Sequence, residues 1–375
     1  MKHTTLLVIS AVCVLVFGLS SCTKQLDEVV PQDAISKDQA LKDPNAARTL
    51  YHGVYGRFRA YNSTFFQLGE MRSEIWVDGL FTESVDGTLQ NFYRHNISNL
   101  NVPITDWGGF YNLIYNFNSV IKIIPQTTLP DAEKNQILAE VYGLRAYVYY
   151  NMIMTWGAVP LNTEPVESIT NAAQTYKRRT GADTVMVQIK SDIEKSLQLF
   201  GSSNVLPSGK RVYWNRIASL ILKGDVFIWS ATNLGGGAND LSTAKAALQE
   251  VKNLQGASLD LQASYADIFD PTKKTNNKEI VFAINYELQQ ASNGVFGSFQ
   301  VNSIQAATLS FAQATTPTVS SVYPYVNGAN RVGLNQAMIN RLTAAPADQR
   351  IANTFRVMYS NAAPYPVRGV LLTKY

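Results

Sequence analysis

The chain has 375 residues, of which 46% are hydrophobic, 11% aromatic and only 16% charged. That is enough length and apolar content for one large or two ordinary domains with substantial cores, and it excludes a disordered chain. The formal charge of +4 comes without a dense Lys/Arg cluster, so it argues for no nucleic-acid partner, and the low charge leaves uncharged polar groups and rings to cover much of the surface.

At the start, Lys2 and His3 precede an apolar run from Leu6 to Phe17. This is the length of a signal-peptide core and too short for a membrane-spanning helix. Leu19-Ser20-Ser21-Cys22 follows and resembles a bacterial lipobox, in which cleavage leaves an acylated cysteine as the first mature residue. The other reading is an ordinary secretory signal with a chance cysteine. Cysteine usage favours the lipobox: Cys13 and Cys22 are the only two, so the exported chain would hold one thiol, at the lipidation position, and no internal disulfide. Stable anchoring needs at least two acyl chains, which a triacylated, palmitate-bearing terminus supplies. Thr23 in place of Asp resembles an outer-membrane lipoprotein, and the Asp27-Glu28 pair resembles a surface-export signal. The expected organisation is a signal segment over 1–21, an extended tether over 22–42 and a body over 43–375.

Asp43-Pro44 opens a helix to about residue 60, with Ala47, Leu50, Tyr51, Val54, Tyr55 and Phe58 at helical spacing. Residues 61–105 lack a long helical period and read as irregular and aromatic. A helix is expected over 106–124, stopped by Pro125. The next starts at Leu129-Pro130-Asp131, with proline in the first turn and an acid at the positive end of the dipole. Its stripe of Ile137, Val141, Leu144, Val148 and Met152 is flanked by Ala139, Tyr142, Ala146, Tyr149 and Tyr150. This helix should therefore lie between other helices. Trp156-Gly157 ends it.

Further helices are expected at about 183–199, 214–232 and 241–254, joined by short loops into antiparallel hairpins. Small and large residues alternate as in tetratricopeptide stacking, but no fixed 34-residue period survives. Glu279 to Tyr286 is the best strand candidate, and 287–330 turns polar and loop-like.

Taken in order, these segments resemble the SusD/RagB family of outer-membrane nutrient-binding lipoproteins. Ala139 to Tyr150 is similar to the family's AE-x-x-x-LRA-x-x-Y helix, and Trp156-Gly157-Ala158-Val159-Pro160-Leu161 to its x-G-x-VPL exit. Ala218 to Val226, Tyr265 to Phe269, Asn277 to Phe282 and Asp348-Gln349-Arg350 follow in family order. Only 25 residues remain beyond Arg350, where members usually continue, so the chain reads as short at its C-terminus. The resemblance implies a mostly α fold of tetratricopeptide-like hairpins with an irregular, loop-rich ligand-binding half and minor β. It implies no cofactor, no catalysis, and a SusC-like TonB-dependent transporter as partner in the outer membrane. The ligand would be an oligosaccharide or, in the second reading, a peptide.

Sugars need ring faces for their C–H surfaces and planar polar groups for their hydroxyls. Arg72, Trp76, Asp78, Asn91 and Tyr93, together with Tyr323 and Tyr325, are the candidate ligand residues. Against this, Trp76 could pack in the core while Arg72 pairs with Glu74 or Asp78, and either tyrosine of the 323–325 pair could cap the scaffold. Trp107, Tyr111 and Arg145 sit on strong helical stripes and read as structural, the arginine requiring carboxylate or carbonyl partners. His52 and His95 fall in no metal spacing, Gly235-Gly236-Gly237 lacks a phosphate-loop continuation, and no G-x-S-x-G occurs. A glycoside hydrolase stays open, with Glu70 and Glu74 as first suspects.

Overall fold

In the computed structural model the described residues are 35–373, apart from 80–86, 99, 103, 105–106, 167–175, 271, 275–276, 288, 325 and 346. The signal segment, Cys22 and most of the expected tether therefore lie outside them. The extended reading of the tether stops at Ser36, which caps a short helix, α1 (Lys37–Lys42). Gln39 N–H donates to Ser36 Oγ at 3.2 Å and Ser36 N–H to Gln39 Oε1 at 2.9 Å, a reciprocal pair that starts a turn despite few apolar residues.

α2 (Pro44–Ala60) begins with Pro44 in its first turn and the Asp43 carboxylate accepting from Asn45 N–H. It buries Ala47, Tyr51, Val54 and Phe58, the face its spacing predicts. The stretch expected to be irregular holds two short helices, α3 (Asn62–Gly69) and α4 (Gly87–Tyr93), on either side of the strand β1 (Trp76–Asp78). Helices of seven and eight residues complete too few turns for a period to stand out.

α5 (Gly108–Ile123) and α6 (Asp131–Trp156) follow the predicted bounds closely. α6 is buried around most of its circumference, with Ile137, Ala139, Val141, Leu144, Ala146, Val148 and Met152 all inaccessible or nearly so. It lies between α5 and α7 (Ala182–Phe200), and α8 (Arg216–Asn233) and α9 (Gly237–Asn253) add the next hairpin. Gly157 adopts φ 67° at the end of α6, a conformation that turns the chain out of the helix at no Cβ cost. Each helix packs on its chain neighbour, the tetratricopeptide-like stacking that short interhelical loops predict.

Among the described residues, two small antiparallel sheets complete the body. β1 pairs with β3 (Val332–Leu334), Trp76 opposite Leu334 and Asp78 opposite Val332. In the other, β2 (Leu309–Ser310) pairs with β4 (Phe355–Ser360), which pairs with β5 (Val367–Leu372). Short helices α10 (Ser303–Ala307), α11 (Val319–Val322), α12 (Gln336–Ala344) and α13 (Gln349–Thr354) link these strands. Asp348, of the expected D-x-R segment, caps α13 and pairs with Arg350 at 2.7 Å.

Residues 279–286 do not form the expected strand. The segment joins no sheet; Ala283 N–H donates to the Arg211 carbonyl, Arg211 donates to the Ile280 carbonyl at 2.7 Å, and Asn215 Nδ2 donates to the Val281 carbonyl at 2.9 Å. Its β-branched residues prefer extended backbone, but side chains, not a neighbouring strand, satisfy much of it.

Candidate functional site

Arg72 ends a single 3₁₀ turn, Glu70–Arg72, after α3 and stands exposed. Four residues on, Trp76 is 3% exposed, its Nε1–H donating to the Glu70 carbonyl at 2.9 Å and its ring 5.1 Å from that of Phe299. Tyr93 is likewise 5% exposed at the end of α4. Neither ring offers a face to a ligand. The expectation of a stacking platform at Trp76 and Tyr93 is corrected here: both rings are core, because pairing of β1 with β3 turns Trp76 inward.

Their polar neighbours converge. Asp78 accepts from Gln90 at 2.8 Å, from the Tyr93 hydroxyl and from Arg94. Burial on its own would raise its pKa, but those hydrogen bonds and the Arg94 charge outweigh burial and hold the carboxyl below its ordinary range. The carboxylate that was one expected partner for Arg72 is thus held by Arg94. Asn91 is half-buried on α4 and Arg94 exposed just beyond it. The arrangement is a fixed polar edge on a buried aromatic base.

Tyr323 belongs elsewhere. It is 8% exposed and packs with Val301, Leu309, Val319, Met358 and Leu371 in a second, smaller core, so its ring is not a ligand platform, and the structure does not join it to the segment around residue 78. Tyr325 lies outside the described residues. Glu70 and Glu74, the hydrolase suspects, are both exposed on the same short segment. Among the described residues no group of three or more His, Cys, Asp or Glu could hold a metal ion, and no helix is long and apolar enough to cross a membrane.

The structure also forms a groove that the sequence reading missed. It has a volume of about 220 Å³ and runs between α2 and the segments at 212–213 and 282–285. Its lining includes His52, Tyr55, Arg59, Tyr213 and Asn285, with no aspartate or glutamate. Tyr55 and Tyr213 meet edge to face at 5.2 Å. Arg59 donates to the Asn285 carbonyl at 3.2 Å and lies 5.9 Å from the centre of the Tyr286 ring. Burial keeps the His52 imidazole below its ordinary value, against a weaker upward pull from Glu133. The one available signal was that Tyr55 and Arg59 are four apart on one helix face.

Beneath the groove lies Glu140, fully buried on α6. Tyr51 donates to Glu140 Oε2 at 2.6 Å, Tyr55 donates to the same oxygen, and Gln136 donates to Oε1 at 3.2 Å. Tyr55 Oη also accepts from Trp214 N–H at 3.0 Å. One buried carboxylate therefore orients a groove tyrosine and, through it, the segment carrying Tyr213.

Residues 35–210 match a SusD-like family model described as starch-binding and associating with the outer membrane. SusD-like protein P38 of Formosa agariphila is 26% identical over 292 residues, 76% of this chain and 54% of that protein; the chain thus spans about half the length of the curated relatives it matches. Among solved structures, B. fragilis NanU superposes with a TM-score of 0.80 at 27% identity, covering 92% of this chain and 69% of that one. A laminarin-binding SusD-like protein shares the fold at 19% identity, with a TM-score of 0.63 over 89% of this chain and 72% of its own. With its stacked helical hairpins, minor sheet and AE-x-x-x-LRA helix, the chain has the fold of the SusD superfamily and is similar in sequence to SusD-like proteins.

Proposed function

We propose that this protein is a surface lipoprotein, anchored through Cys22, that captures an oligosaccharide and delivers it to a TonB-dependent transporter in the outer membrane. The match of its first half to a family described as starch-binding and outer-membrane-associating carries this reading, and the laminarin-binding relative of the same fold supports it. The chemistry is binding. The family model that matches residues 35–210 is described by binding, which supports this reading. Arg72, Asn91 and the Asp78–Arg94 pair are the polar groups proposed to meet sugar hydroxyls; Trp76 and Tyr93 hold them in place from below.

The test is calorimetric titration of the full chain against soluble glucans and, in parallel, a peptide panel. Saturable heat with a glucan and none with peptides is the expected result. The reverse pattern would transfer the reading to peptide uptake, and release of shortened products during incubation would make the protein an enzyme. Mass spectrometry of the membrane-extracted N-terminus should find Cys22 acylated; an unmodified thiol would remove the anchor.

A further inference from the structure

The groove between α2 and residues 282–285 does not share its lining with the polar edge at Arg72 and Asp78. Its volume, about 220 Å³, is below the roughly 300–1,000 Å³ of sites that enclose a drug-sized ligand. It has room for one ring of a longer molecule whose remainder stays in solvent.

Three features describe what ring that is. Tyr55 and Tyr213 supply aromatic surface, and Phe58 and Phe282 lie behind them, which suits a flat apolar face. Arg59, His52 and the Asn285 amide supply donors and acceptors around it, which suits hydroxyl groups. Arg59 stands at one end, and the Glu287 carboxylate is near enough to raise the Tyr213 hydroxyl, after the larger effects of burial and of Glu140. Burial holds the imidazole of His52 toward its neutral form, and the donors and acceptors of the lining suit the hydroxyls of an uncharged ring.

The walls are also held before any ligand arrives. Tyr55 is fixed by Glu140 and by Trp214 N–H, and Arg59 by the Asn285 carbonyl. Tyr286, beside Arg59, receives a hydrogen bond from Asn62 at 3.1 Å. Little side-chain freedom is left to lose on binding, which is what preorganisation contributes to affinity.

We infer that this groove is a second saccharide site, which seats a single neutral pyranose against Tyr213 with its hydroxyls toward Arg59 and Asn285. The inference rests on the oligosaccharide-capture reading and adds a grip point to it.

Gly56 provides a clean test. It lines the groove on an exposed turn of α2, and a Cβ there would meet no atom within 4 Å. Gly56→Gln should therefore fill the groove while the helix tolerates or prefers the replacement. Binding of laminarihexaose and maltohexaose to the full chain would be measured for the parent, Gly56→Gln, Tyr213→Ala, Tyr213→Phe and, as the control at the polar edge, Arg72→Ala. For a hexasaccharide that binds the parent, Gly56→Gln and Tyr213→Ala should each weaken affinity about tenfold or more, the scale of one lost ring-stacking contact, while Tyr213→Phe retains it. Unchanged melting of Gly56→Gln separates plugging from unfolding. If both groove variants bind like the parent while Arg72→Ala is weakened, the groove inference is overturned and the capture reading stands. If neither hexasaccharide binds the parent, both fall.

Discussion

Arg145 on α6 and Asp192 on α7 form a two-pronged buried ion pair, Nε to Oδ2 and Nη2 to Oδ1 both at 2.7 Å, with side chains 4% and 2% exposed. Arg145 Nη1 also donates to Asn118 Oδ1 on α5 at 2.7 Å, and Gln188 donates to Asp192. One guanidinium thus ties three consecutive helices, supplying the carboxylate partner that a buried arginine on that stripe requires.

Removing one partner strands the other charge in the core. Asp192→Ala should therefore lower unfolding stability by about 3–5 kcal/mol, the usual cost of an uncompensated buried ion. Denaturant melts read this directly, and a loss below about 1 kcal/mol would mean that water reaches Arg145 once the aspartate is gone.

The Glu140 carboxyl is pushed up to about 7 by burial, against the pull of hydrogen bonds from Tyr51, Tyr55 and Gln136. Its ordinary value is 4.5, so the folded protein holds this proton more tightly than the unfolded chain. The stability linked to it is complete below about 4.5 and is lost as pH rises through 7, a change on the order of 3 kcal/mol. Melts across pH 5–8 should fall with this slope in the parent and run flatter in Glu140→Gln. Parallel curves would place the titration elsewhere.

Gly143 on α6 faces the Trp214 indole, where an added Cβ would sit 2.1 Å from Nε1. That indole N–H donates to Ser219 Oγ at 2.8 Å, and Ser219 meets Ser196, which donates to the Ala139 carbonyl at 2.6 Å. A methyl group here pushes on a chain of buried hydrogen bonds as well as on a ring. Gly143→Ala should cost about 1–3 kcal/mol despite its better helix propensity; a neutral or stabilising result would show that Trp214 can retreat.

Trp76 and Arg72 should separate cleanly. Trp76→Ala empties a core position and should destabilise by about 3–5 kcal/mol, whereas Arg72→Ala, exposed, should leave melting within about 0.5 kcal/mol and lower glycan affinity. Unchanged melting of the tryptophan variant together with lost binding would return that ring to the ligand surface.

The helical framework is legible from residue spacing alone. A helix writes its burial into neighbouring positions, so α2, α5, α6, α7 and α8 were legible to within a few residues, as was the placement of α6 between other helices. The ordered family motifs, Arg145's need of a partner and the tetratricopeptide-like stacking came from the same local pattern. Segments shorter than two or three turns, such as α3 and α4, carry too little of that pattern, and a run such as 279–286 carries none that says whether a strand or side chains will satisfy it.

Which rings face water follows from how distant segments pack together. Trp76 and Tyr93 turned inward because β1 found β3 and Asp78 found Arg94, pairings between segments whose own composition equally suited a surface. The groove exists because Tyr55, Tyr213 and Asn285, far apart along the chain, are brought together by Glu140 and Arg59. Periodicity reports the environment of one element, whereas a site is a property of several elements meeting, and no single segment encodes that meeting.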